Sequence, residues 1–145
     1  MASYELNYTV PSPGGYTTFI EFSPNGRFLV VGDRDFSSLY LLDRFTGFRP
    51  TLSAVTPREP TAVVWETSGA FYVGLADGRF THYQIGLRGE GLTEGLTNRF
   101  FHGVYPALPI TAMALDVESK TLVLSVGPEV FAFRRIGATS TFSRQ

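Results

Sequence analysis

The chain has 145 residues, 43% of them apolar and 14% aromatic, a composition that predicts one globular domain with a sizeable core. Its net charge is −1, and one lysine against eleven arginines forms no basic stripe, which argues against a nucleic-acid binder because phosphate contacts need clustered positive charge. The absence of cysteine excludes a disulfide framework and a thiolate metal site.

The beginning of the chain bears on cellular location. The segment from Met1 to Glu5 lacks the basic residues and the apolar stretch of a signal peptide. No apolar run approaches the roughly 18–20 residues that a membrane-spanning helix needs. We therefore expect a soluble, cytoplasmic protein that does not associate with membranes.

A first structural unit begins at residue 18. Thr18–Phe22 alternates its faces as a strand does, a Ser-Pro-Asn-Gly turn ends at Gly26, and Arg27–Val31 is a second, apolar strand. Gly26 can adopt a positive φ without steric cost, so the segment predicts a β-hairpin. A polar loop at Asp33–Ser37 then leads to a third strand at Leu39–Asp43.

The same pattern returns 43 residues later and again after a further 50. Thr18, Thr61 and Thr111 open the three copies, and we predict that the first strand, the turn and the second strand align without a gap. The predicted strands of the later copies are Thr61–Trp65, Ala70–Gly74, Phe80–Gln84, Thr111–Leu115, Lys120–Leu124 and Val130–Arg134.

The connections between the copies leave room for a fourth strand in each unit. Gly86–Asn98 is predicted to be an irregular insertion, and no window shows the apolar spacing of an amphipathic helix. The candidate fourth strands are Arg49–Val55 and Arg99–Tyr105, with Tyr4–Val10 serving the first unit and Ala138–Phe142 left over at the end. We predict one domain over 1–145 with units at about 4–47, 48–85 and 98–135 and a tail or extra strand at 136–145.

Two strings of the first unit carry a family resemblance: Phe-Ser-Pro-Asn-Gly-Arg-Phe-Leu at 22–29 and Leu-Leu-Asp-Arg-Phe-Thr-Gly at 41–47. With the unit length of roughly 40–50 residues, they resemble the WD-repeat β-propeller family and the N-terminal half of fungal WD-repeat proteins. Leu42-Asp43 takes the place of the name-giving Trp-Asp pair, as do Tyr83-Gln84 and Phe133-Arg134 later, whereas the family's Gly-His pair is absent. The resemblance implies an all-β fold of three four-stranded antiparallel blades, a partial β-propeller.

Three blades are too few for a closed disc, which typically has four to eight. The outer faces of the first and third blades would then be apolar and exposed, as interface surfaces are. We therefore expect the chain to self-associate, to dock on a complementary half or to be part of a longer polypeptide. The favoured hypothesis is a homodimer of six blades, with the Tyr4–Val10 or the Ala138–Phe142 strand completing a blade across the junction.

The two histidines show no pattern of a catalytic or metal site. His82 lies in the middle of a predicted strand without an acid nearby in the sequence, and His102 lies in a predicted outer strand. A zinc site takes three or four nitrogen or sulfur ligands, which two histidines without cysteine cannot supply. The glycine-rich stretches do not lead from a strand into a helix, so they predict no phosphate site. We predict no catalytic residue, no metal and no cofactor.

The loops between second and third strands carry the densest charge. For Asp35 and Asp77 we also predict a structural role as the alternative to partner binding, because an aspartate in such a turn accepts hydrogen bonds from backbone N–H groups. Phe36 stands where the second unit has Gly78, and it is either an exposed partner contact or tucked against the blade edge. We predict that the partner-binding residues are Asp33, Arg34, Asp35, Phe36, Asp77 and Arg79.

The resemblance implies a non-enzymatic protein-interaction or scaffold module that binds protein partners. The alternative is a self-assembling half-propeller with a purely structural role. An enzyme with a pocket in the central channel is a third, less favoured possibility, because no catalytic group is visible and a fold alone implies no activity. The strand aromatics are predicted to be core residues: Trp65, Phe71, Tyr72 and Tyr83.

Overall fold

A computed structural model describes residues 2–6, 9, 11–86, 91–99, 108–135 and 142–144 of the chain. The described residues contain no α-helix and form twelve strands and one 3₁₀ turn (Arg44–Thr46). The strands are β1 Thr17–Phe22, β2 Phe28–Asp33, β3 Ser38–Asp43, β4 Arg49–Val55, β5 Pro60–Thr67, β6 Ala70–Leu75, β7 Arg79–Ile85, β8 Leu92–Arg99, β9 Ile110–Asp116, β10 Thr121–Val126, β11 Glu129–Arg135 and β12 Phe142–Arg144.

The strands form three antiparallel four-stranded sheets, each made of four consecutive strands. We name them blade 1 (β1–β4), blade 2 (β5–β8) and blade 3 (β9–β12). This confirms the prediction of three four-stranded propeller blades. Gly26, in the first hairpin turn, has φ +74° as the turn sequence predicted.

The fourth strands differ from their predicted places. Arg49–Val55 is a strand, but it pairs with β3 and completes the first blade rather than the second. Blade 2 is completed by β8, which lies within the stretch expected to be irregular. Blade 3 is completed by β12, which pairs with β11. The predicted blade limits of about 4–47, 48–85 and 98–135 are therefore too early, because each fourth strand follows its third strand along the chain.

Three other predicted fourth strands cannot be compared in full. The described residues of the Tyr4–Val10 segment form no strand. The stretches 100–107 and 136–141 lie outside the described residues, and they include His102 and most of the Arg99–Tyr105 and Ala138–Phe142 candidates.

The gapless alignment of the three hairpins is wrong by one residue in the middle copy. Phe22 pairs with Leu29, Trp65 with Phe71 and Leu115 with Leu122, so the second blade has the shorter turn. The third strands nevertheless fall at the predicted equivalent positions. Leu42 pairs with Leu29, Tyr83 with Phe71 and Phe133 with Leu122, so the three pairs likened to Trp-Asp share one register.

The core lies between the blades, in two layers. One layer joins blades 1 and 2 and contains Trp65, Phe71 and Tyr83, while the other joins blades 2 and 3 and contains Tyr72. All four aromatic residues predicted to be core are buried. Each of the six residues of β6 is buried, because blade 2 has a neighbour on both faces. No described helix is long and apolar enough to cross a membrane.

Candidate protein-interaction surface

One edge of the three blades carries the turns that the sequence singled out. The pairs Thr17↔Asp33, Pro60↔Leu75 and Ile110↔Val126 place the start of each first strand beside the end of each second strand. The turns between second and third strands, and the segment that enters β1, therefore lie along this edge, which we call the loop edge.

Asp33 organises the first of these turns and is not available to a partner. Its side chain is 1% exposed, and its two carboxylate oxygens accept hydrogen bonds from the backbone N–H groups of Tyr16 (2.7 Å) and Phe36 (2.9 Å). Gly14 passes so close that a Cβ built there would lie 2.4 Å from the Asp33 Cγ. Asp33 thus joins the entering segment to the turn, and its predicted partner contact is replaced by a structural role.

Four exposed residues cluster around this buried carboxylate. The Arg34 guanidinium lies over the Tyr16 ring, with 3.8 Å between the Cζ atom and the ring centroid, and its Nε atom is 3.5 Å from Asp35 Oδ1. Phe36 is 65% exposed, which decides between its two predicted placements in favour of exposure. We call Tyr16, Arg34, Asp35 and Phe36 the Arg34 patch.

The predicted residues of the second blade behave differently. Asp77 accepts hydrogen bonds from the Arg79 backbone N–H (3.2 Å) and from Arg79 Nε (2.7 Å). Both side chains are about four-fifths buried, and Gly78 between them has φ +85°. Asp77 therefore holds its turn, as the alternative prediction had it, and in the described residues no hydrogen bond or ion pair connects this turn to the Arg34 patch.

His82 has an acid partner that the sequence did not indicate. Its Nε2 atom lies 3.2 Å from Glu66 Oε1, and Glu66 Oε2 accepts a hydrogen bond from the Tyr72 hydroxyl over 3.3 Å. The pair faces the junction of blades 2 and 3, where His82 is 5% exposed. Within the described ranges no group of three or more His, Asp or Glu residues could hold a metal ion.

A second charged cluster lies at the opposite edge of blade 1 and was not predicted. Arg27 donates to both carboxylate oxygens of Asp43 (3.4 and 3.2 Å), and its guanidinium lies 4.9 Å from the Phe45 ring centroid. These hydrogen bonds from Arg27, together with one from the Phe45 backbone N–H, hold the pKa of Asp43 below its usual value of 3.8, although burial opposes the shift. Asp43 therefore stabilises the turn after β3 in its charged form.

This lowered pKa predicts a stability loss in acid. A depressed folded-state pKa contributes stability above pH 3.8, and the contribution disappears as the pH falls through the folded pKa. Asp43→Asn should thus lower the free energy of unfolding at pH 7, with the difference from wild type shrinking below about pH 4. Urea titrations between pH 2 and 7 measure it. The exposed Asp116→Asn is the control, and a difference for Asp43→Asn that stays constant with pH contradicts the prediction.

Comparisons with known proteins support the fold. No protein-family model and no curated protein matches the sequence. A structure of the mitotic checkpoint complex contains a chain that matches 81% of this chain at 14% identity and a TM-score of 0.66. Sqt1 from Chaetomium thermophilum, bound to the N-terminus of the ribosomal protein L10, matches 82% at 19% identity and the same TM-score.

These similar structures are WD-repeat β-propeller proteins, as the first repeat suggested. Our chain spans about a third of their length, with 37% of the checkpoint-complex chain and 33% of the Sqt1 chain covered. At this level of identity the likeness establishes the blade architecture.

Proposed function

We propose that this chain is a non-enzymatic, cytoplasmic protein-interaction module that binds a segment of a partner protein at the Arg34 patch. One observation carries the proposal: an exposed phenylalanine and a stacked arginine project from a turn that a buried aspartate holds in place. Aromatic and arginine side chains dominate the energetics of protein interfaces. A structural neighbour, Sqt1, is bound to the N-terminus of another protein, which supports the same use of this fold.

The patch is organised before any partner arrives. Asp33 anchors the backbone on both sides of the turn, and the Tyr16 ring restricts the Arg34 side chain. A preordered surface loses less conformational entropy on binding. Because Asp35 balances the charge of Arg34, we expect an apolar segment of the partner, packed on Phe36, to supply most of the affinity.

Peptide selection tests this proposal. Peptides enriched from a random phage-displayed library against the full chain should bind about tenfold or more weakly to Phe36→Ala and Arg34→Glu, measured by calorimetry. The matched control is Phe45→Ala, which removes an exposed phenylalanine at the opposite edge and should leave the affinity unchanged. Equal affinity for wild type and both patch variants would exclude the patch as the binding surface.

We also propose that two copies assemble into one six-bladed ring. The support is that β10 alternates between buried and half-buried residues, whereas β6 is buried throughout, so one side of blade 3 has no covering blade among the described residues. Two copies of the three blades give six, a number within the usual four to eight of a closed propeller. Light scattering should find a particle of two 16.0 kDa chains.

A further inference from the structure

Neighbouring blades are joined by the same hydrogen bond at both junctions. The Thr18 hydroxyl donates to the Pro60 carbonyl over 2.8 Å, and the Thr61 hydroxyl donates to the Ile110 carbonyl. Each threonine is the unpaired bulge residue of its blade's first strand. Each accepting carbonyl belongs to the residue just before the matching threonine of the next blade, so the bond repeats with the blades.

Thr111 is the third threonine of this series. It occupies the same bulge, between the pairs Ile110↔Val126 and Ala112↔Ser125. Its hydroxyl is hydrogen-bonded within its own blade, to the Ser125 hydroxyl (2.6 Å) and the Ser125 carbonyl (3.3 Å), just as Thr61 also bonds the Gly74 carbonyl (3.2 Å). In the part of the chain that the structure describes, no carbonyl of a further blade accepts from Thr111. Blade 3 therefore ends the series with the donor half of a junction.

The side of blade 3 that turns away from blade 2 repeats a junction surface. Val130, Leu39 and Phe80 occupy equivalent positions at the start of the third strand in their blades. Their partners on the second strand are Ser125, Gly32 and Gly74. Leu39 and Phe80 are buried against the next blade, at 0% and 1% exposure, whereas Val130 is 70% exposed. We call this surface the open face. A shallow groove of about 250 Å³ lies on the open face. The residues that line it include Ala112, Ala114, Val123, Ser125 and Val130.

Blade 1 carries the complementary half at the other end. Ile20 and Phe22 point away from blade 2 and are 62% and 49% exposed. Their equivalents in blade 2, Val63 and Trp65, are buried in the layer shared with blade 1. The carbonyl of Thr17, just before Thr18, corresponds to the accepting carbonyls of the two observed junctions. The large apolar side chains at this end therefore match the mainly apolar groove on the open face.

We infer that the open face of blade 3 binds the Ile20 and Phe22 face of blade 1 in a second copy, with the Thr111 hydroxyl donating to the Thr17 carbonyl. This inference rests on the proposed six-bladed assembly and adds the residues of its junction. Because one chain carries both halves, two copies form two identical head-to-tail junctions and close into a ring. The contact continues the surface that already joins blade 1 to blade 2 and blade 2 to blade 3.

Particle mass tests the junction with a matched pair of variants. Val130→Arg places a charge in the open face and should reduce the particle mass by half in light scattering. Val117→Arg, the same change at a 52%-exposed turn residue of the same blade, should leave two chains. A wild-type particle of one chain overturns the assembly and the junction together. A two-chain particle that Val130→Arg does not dissociate overturns the junction and leaves the assembly standing.

Cross-linking between introduced cysteines identifies the occupant of the open face. The chain has no cysteine of its own, so only the introduced thiols can react. Ile20→Cys combined with Ala114→Cys should give a covalent two-chain product with a short bismaleimide, since both residues are exposed and belong to opposite halves of the junction. Each single-cysteine variant should stay uncross-linked, because equivalent residues of the two copies lie at different junctions. A double variant that yields no more dimer than the single variants overturns the junction.

Discussion

Phe71→Ala should lower the free energy of unfolding by about 3–5 kcal/mol, the usual cost of removing a buried phenylalanine ring. Phe71 is fully buried between blades 1 and 2, and its ring lies 4.8 Å from that of Trp65 and 5.7 Å from that of Tyr83. The loss is large because neighbours on two adjacent sheets limit how far the cavity can collapse. Urea unfolding followed by tryptophan fluorescence measures it, since Trp65 is the only tryptophan.

Phe36→Ala is the matched control for this loss. It removes the same ring from a side chain that is 65% exposed, so we expect a change within about 0.5 kcal/mol. A similar loss of stability in both variants would mean that burial of Phe71 at the junction of blades 1 and 2 does not stabilise the fold.

Asp33→Ala should lower the free energy of unfolding by about 3 kcal/mol, because the backbone N–H groups of Tyr16 and Phe36 both lose a charged acceptor. Asp33 is buried, so water cannot readily replace it. The variant should also lower the affinity for the peptides whose binding depends on Phe36, because the turn no longer holds that ring in one position. We expect this effect even though Asp33 itself is buried.

The exposed neighbour in the same turn provides the control. Asp35→Ala removes a carboxylate that is 47% exposed and should change stability by less than about 1 kcal/mol. Asp33→Asn keeps one acceptor oxygen and should give an intermediate loss. If Asp33→Ala and Asp35→Ala cost the same, the buried carboxylate does not organise the turn.

The hairpins were predictable from short-range signals, and their register was only partly so. The Ser-Pro-Asn-Gly turn and the apolar runs around it indicated β1 and β2 correctly. The one-residue shift in the middle copy escaped prediction because its second strand, Ala70–Leu75, is apolar on both faces. Sliding such a strand by one residue leaves an equally apolar strand, so the pattern carries no register information.

The outer strand of blade 2 was hard to predict for a different reason, whereas Arg49–Val55 was predicted as a strand with its observed bounds. The strand β8, Leu92–Arg99, has only two large apolar residues, Leu92 and Leu96, among threonine, glutamate, glycine and asparagine. This composition resembles that of a loop. As an edge strand it pairs with one neighbour only, β7, and of its first four residues only Leu92 packs against the core. Its sequence therefore lacks the apolar period by which a strand is usually found.

The sequence by itself determined the repeated unit, the all-β class and the count of three blades, because turn residues and apolar runs act over a few neighbouring positions. Only the tertiary structure decided which of the charged loop residues are free. It buried Asp33, whose carboxylate accepts a hydrogen bond from the backbone of Tyr16, and it brought Glu66 to His82 from another strand. Both contacts join segments that are distant in the chain, so they form only when the strands of a blade are assembled, and a pattern read over a few neighbouring residues does not reveal them.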